Sequence, residues 1–128
     1  MSMLIDNQMI PTIPVSDLAR ARAWYQAKLG LTPVNEVPGQ ALAYRTPAGQ
    51  SLLLFFSDDV GAVDHQLAAW RVDDVAAEVT ELRGRGVRFE EYDEPDLRTV
   101  DGIAATPVGR AAWFKGSEGN VLTISQLG

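Results

Sequence analysis

One pattern in this chain is written twice. Val15-Ser16-Asp17-Leu18-Ala19 matches Val72-Asp73-Asp74-Val75-Ala76 at an offset of 57 residues. Leu29-Gly30-Leu31 then falls opposite Arg85-Gly86-Val87 at an offset of 56, so the second copy has lost one residue within its helix. Tyr44-Arg45-Thr46-Pro47-Ala48-Gly49-Gln50 lies over Phe114-Lys115-Gly116-Ser117-Glu118-Gly119-Asn120 at an offset of 70. That growth of the offset places an insertion of the second copy within Tyr92 to Pro107. The 128 residues suit a single domain, 1–128, of two modules. Module one covers about 8–57 and module two about 65–127, with the inserted loop at about 92–107.

Each copy reads as strand, helix and three strands. Ile10 to Val15 is short, apolar and β-branched, and ends at a polar Ser16-Asp17 pair, as a strand feeding a helix does. Asp17 suits the N-cap because its carboxylate can accept the unpaired amide hydrogens of the first turn. Leu18, Ala21, Trp24 or Tyr25 and Leu29 form the inward stripe, and Gly30 stops the helix. In the second copy Asp74 caps, Val75, Val79 and Leu82 form the stripe, and Gly84 or Gly86 ends it. Strands are expected at Leu31 to Val37, Ala41 to Thr46 and Gln50 to Phe56, then at Val87 to Glu91, Arg110 to Lys115 and Asn120 to Gln126. Two tandem βαβββ modules, eight strands and two helices in an α+β fold, follow. Each unit alone is too small to close a barrel, so the units must pair within the chain or across a homodimer.

Composition narrows the chemistry. With no cysteine, disulfides, thiolate metal sites and cysteine nucleophiles are excluded. With one histidine, His65, a two-histidine metal site cannot be built within one chain. A net charge of −6 argues against nucleic acid and anionic membranes and suits small molecules, cationic ones included. No apolar run approaches the roughly 18 residues of a membrane span, and Met1 to Met9 lacks a signal peptide's regions, so a cytoplasmic location is expected. There is no Gly-x-Ser-x-Gly elbow and no phosphate-binding glycine loop. Asp58-Asp59 and Glu90-Glu91 are paired carboxylates at strand ends, where a solvated edge is the ordinary reading.

These blocks, above all Val15-Ser16-Asp17-Leu18 with Trp24-Tyr25, Val72-Asp73-Asp74-Val75, and Trp113-Phe114-Lys115 with Glu118-Gly119-Asn120, resemble the vicinal oxygen chelate superfamily. That group includes glyoxalases, extradiol dioxygenases, and fosfomycin- and bleomycin-resistance proteins. The resemblance runs from about Ile10 to Gln126. It implies that two units face each other and form a cup, with metal ligands on the first and last strand of each. Its ligand spacing falls here on Ile10, Leu53, Leu67 and Thr123. Three are aliphatic, and a neutral hydroxyl is a poor ligand without carboxylate neighbours. Neither metal nor cofactor is therefore expected, and a dry site suits an apolar ligand or plain packing.

Strand parity extends this set. Thr12 shares a face with Ile10, Ala69 and Arg71 share one with Leu67, and Phe55 and Ser125 share one with Leu53 and Thr123. Tyr44 and Trp113 on middle strands offer flat surfaces to a planar ligand, with core packing as their other reading. Arg98 lies in the inserted loop, which either covers the mouth or makes a surface or dimer contact. The expected function is metal-independent binding of a small apolar, planar or cationic compound. The alternatives are a lyase, isomerase or dioxygenase with an unconventional metal or acid/base site, and a protein-binding module with a vestigial cup.

Overall fold

A computed structural model describes residues 10–58, 60, 65–107 and 109–127. Met1 to Met9 and Asp59, on which two of the readings above fall, lie outside them. The first half runs β1 (Thr12–Val15), α1 (Leu18–Leu29), β2 (Pro33–Val37), β3 (Ala41–Arg45) and β4 (Ser51–Phe56). The second runs β5 (Gln66–Arg71), α2 (Val75–Gly84), β6 (Asp93–Glu94), β7 (Leu97–Arg98), β8 (Ile103–Thr106), β9 (Gly109–Lys115) and β10 (Val121–Leu127). Two four-stranded mixed sheets result, ordered β1-β4-β3-β2 and β5-β10-β9-β8, with β6-β7 as a separate hairpin. In each sheet the first and last strands pair in parallel and the others antiparallel. The α+β class and the repeated sheet order agree with the sequence.

The helix ends follow their local chemistry. Asp17 accepts from the Arg20 amide at 2.9 Å and Asp74 from the Ala77 amide at 3.1 Å. Gly30 closes α1 with a φ of 71°, a left-handed conformation that costs glycine little. Arg85 takes the C-cap of α2, so the helix ends just after Gly84. Of Trp24 and Tyr25, it is Tyr25 that is fully buried.

The strand count differs from expectation. Val87 to Glu91 forms no strand: it touches the sheet through one bridge, Phe89 to Phe114, and the bond from the Glu90 amide to the Trp113 carbonyl. Its place beside β9 is taken by Ile103–Thr106, a strand inside the expected insertion. The cause lies at Glu91, whose carboxylate accepts from the Thr99 hydroxyl at 2.5 Å and the Gly102 amide at 2.9 Å. These bonds fold the chain back, so β8 rather than Val87 to Glu91 receives the ladder of β9. With β6 and β7, the described residues hold ten strands instead of eight.

One core serves both halves. Ile13, Val15, Leu42, Tyr44, Leu52 and Leu54 of the first sheet join Ala112, Phe114, Leu122 and Ile124 of the second, with Ala21, Tyr25, Val75, Val79 and Leu82 from the helices. Trp24 of α1 stacks on Phe114 of β9, ring centres 6.4 Å apart, and Tyr25 meets Tyr44 at 6.2 Å. The helix-covered faces of both sheets therefore turn toward a shared centre. Their other faces turn outward.

Candidate functional site

In β4, Leu52 and Leu54 are buried while Leu53 and Phe55 are half-exposed, the alternation of a strand packed on one side. Register carries the outward side across the sheet: Thr12 aligns with Leu53 and Pro14 with Phe55, while Ala43 and Ala41 face the same two residues from β3. Thr12 is exposed, as is Ile10 just before β1. Tyr44 departs from the expectation of a ligand wall. It lies on the helix-covered face, 2% exposed, because Ala43 rather than Tyr44 shares a side with Leu53.

The second sheet places Ala69, Thr123 and Trp113 in one outward row and Arg71, Ser125 and Ala111 in the next. Leu67 is half-buried and Arg71 exposed on β5. Unlike the first, this face is covered in part by its own inserted hairpin. Tyr92 sets its ring edge-on to Trp113 at 5.7 Å, and Thr123 is nearly inaccessible. Between them lies a cavity of about 500 Å³ bordered by His65, Gln66, Tyr92, Glu94, Leu97 and Trp113. Arg98 is not on that border; it points to Asp93 across the hairpin at 3.5 Å.

Gln66 organises this cavity and was not visible as a site residue in the sequence. Its Oε1 accepts from the Trp113 indole at 3.0 Å and from the Thr123 hydroxyl at 3.0 Å. The indole can only donate, so the amide oxygen must face it and the amide NH₂ is turned the other way. The available signal was indirect: an outward tryptophan and threonine both needing an acceptor. His65 is exposed, its Nδ1 3.1 Å from the Gln66 carbonyl.

The family resemblance implies a divalent cation, and these residues do not fit one. Ile10, Leu53 and Leu67 have no donor atom, and the Thr123 hydroxyl is committed to Gln66. Among the described residues no group of three or more His, Asp or Glu side chains could hold a metal ion.

Away from this face, the β9–β10 turn carries the strongest polar cluster. Glu118 accepts from the Ser16 hydroxyl at 2.9 Å and from Arg20 Nε at 2.9 Å and a terminal guanidinium nitrogen at 2.7 Å. The Arg20 hydrogen bonds hold its carboxyl down at about 2, against the opposing effect of burial. Asn120 donates to the Pro14 carbonyl at 2.7 Å. This cluster anchors the start of α1 to the second sheet and is structural.

Comparison with known proteins agrees with the fold. The model of the Glyoxalase/Bleomycin resistance protein/Dioxygenase superfamily matches residues 8–123. No curated protein sequence matches significantly. Among solved structures the chain is similar to TnmS3, an antibiotic binding protein from Streptomyces sp. CB03234, with 25% identity, 99% of this chain and 100% of that one covered, and a TM-score of 0.71. A glyoxalase/bleomycin resistance protein from the same organism gives 25% identity, 94% and 100% coverage, and a TM-score of 0.63. Lactoylglutathione lyase from Agrobacterium tumefaciens gives 23% identity, 94% and 92% coverage, and a TM-score of 0.65, a likeness of fold alone.

Proposed function

The chain belongs to the Glyoxalase/Bleomycin resistance protein/Dioxygenase superfamily, and from that premise we propose that it binds a small, largely apolar planar compound without a metal ion, in the cytoplasm. The observation that carries this reading is the cavity under the inserted hairpin, where Trp113 and Tyr92 supply aromatic surface and Gln66 turns an amide outward. Aromatic walls with a few fixed polar groups are the usual make-up of a small-molecule site. Glu94 at the rim and the negative net charge favour a compound carrying positive charge. The similarity to TnmS3, an antibiotic binding protein, supports small-molecule binding.

A homodimer belongs to this proposal. The outward faces of the two sheets turn away from the shared core, so a cup needing both takes one face from each of two copies. Leu53 and Phe55 of one copy would then close over the Trp113 and Thr123 face of the other. Arg71 and Ser125 would lie along that wall.

Trp113→Ala should weaken binding of a planar compound selected by screening by about 1–3 kcal/mol, the scale of losing a buried anchor, in calorimetry. Unchanged affinity with a native circular dichroism spectrum would remove Trp113, and with it this reading of the cavity. Sedimentation should give twice the chain mass, and elemental analysis no stoichiometric divalent metal.

A further inference from the structure

The repeat predicts two equivalent junctions between the halves, and the structure fills only one. On the filled side α1 presents Ala21 and Tyr25, fully buried, toward the β9–β10 turn, where Gly116 lies against Tyr25 and Trp24. The offset of 57 puts Glu78 of α2 where α1 has Ala21, and Leu82 where it has Tyr25. There the packing does not close. A cleft of about 200 Å³ opens between Leu31 and Thr46 of the first half and Trp70, Val72, Leu82 and Phe114 of the second, with Glu78 at its edge.

Among the described residues, Glu78 is the only charged one bordering the cleft, and its carboxylate has no hydrogen bond or ion pair there. The cations at the end of α2 itself are engaged elsewhere: Arg85 pairs with Glu81 at 3.2 Å, and Arg83 donates to the Asp101 carbonyl at 3.1 Å. A carboxylate beside apolar, aromatic walls is complementary to an ammonium group on an apolar body. As a guide to size, an apolar cavity of about 150 Å³ accepts benzene.

We infer that the helix-side cleft between the two halves is a second binding site, separate from the outward-facing cavity, for a small aromatic amine. The ring lies against Trp70, and the ammonium is held by Glu78. Half-exposed Trp70 offers ring surface, buried Phe114 lies at the floor, and Thr46 borders the first-half side.

The test is an NMR titration of the isotope-labelled full chain, in its native assembly, with 2-phenylethylamine and with 3-phenylpropionate, its anionic counterpart. The amine should shift the amide resonances of Thr46, Trp70 and Glu78, and bind about fivefold more tightly than the acid, the scale of one charge-assisted pair near solvent. Glu78→Gln should remove that preference while leaving the shifts at Trp70, and Val72→Trp, which fills the cleft, should abolish both. Three results overturn the site: no binding at millimolar amine, amine affinity unchanged in folded Glu78→Gln, or shifts confined to Gln66 and Trp113. The last would still leave the outward cavity as a binding site, so the two readings fail separately.

Discussion

At one junction between the halves, the β9–β10 turn reaches across to the start of α1 with Glu118 and Asn120 while Trp24 stacks on Phe114. At the other, the β3–β4 turn carries Ala48 and Gln50 at the equivalent positions, and the start of α2 is held instead by Gln126, whose side chain accepts from the Val75 amide at 2.9 Å. The backbone plan is the same, but one turn clamps and the other leaves a cleft. The difference teaches that a repeated fold needs only one fully packed junction to join its halves. The relaxed junction can then carry groups, such as Glu78, that a packed one would exclude.

The largest effect should come from exchanging the residues that distinguish the junctions. Ala21→Glu would force a carboxylate into a fully buried position and should cost more than about 3 kcal/mol, read by urea denaturation. Glu78→Ala, the reverse exchange, should move stability by less than about 0.5 kcal/mol; a large loss there would show that the cleft is as tightly coupled as the clamp. Next in size is Glu118→Ala, which leaves Ser16 and Arg20 without their acceptor and should cost about 2 kcal/mol. Ala48→Glu in the other turn has no partner to meet and should restore none of that loss.

The clamp also depends on pH. Its folded carboxyl titrates at about 2 against an ordinary 4.5, so its contribution is fully present above 4.5 and disappears as pH falls toward 2. Stability curves of the wild type and Glu118→Gln should therefore converge across that window, and parallel curves would remove the clamp's electrostatic part. Glu91, lowered by its hydrogen bond from Thr99 and then by the Gly102 amide, acts in the same direction in both proteins.

Much of the fold was legible in the residues because the signals are local. Asp17 and Asp74 cap, Gly30 stops, and Ala21, Tyr25, Val75, Val79 and Leu82 fall at helical spacing on buried positions. The candidate site was less legible. Gln66 carries no motif, and its importance exists only because β9 and β10 bring Trp113 and Thr123 to its amide.

The sequence by itself determined the repeat, the two helices and their caps, and the alternation of strand and helix that opens each half. These follow from spacing and side-chain chemistry, which are properties of short segments. Only the tertiary structure decided that Tyr44 packs inward on Tyr25, that β8 displaces Val87 to Glu91, and that the hairpin carrying Tyr92 covers the second sheet while the first stays open. Periodicity states which residues share a face. Which face is buried, and against what, is settled by contacts between distant segments: Trp24 on Phe114 draws the helix-covered faces together and turns the others outward.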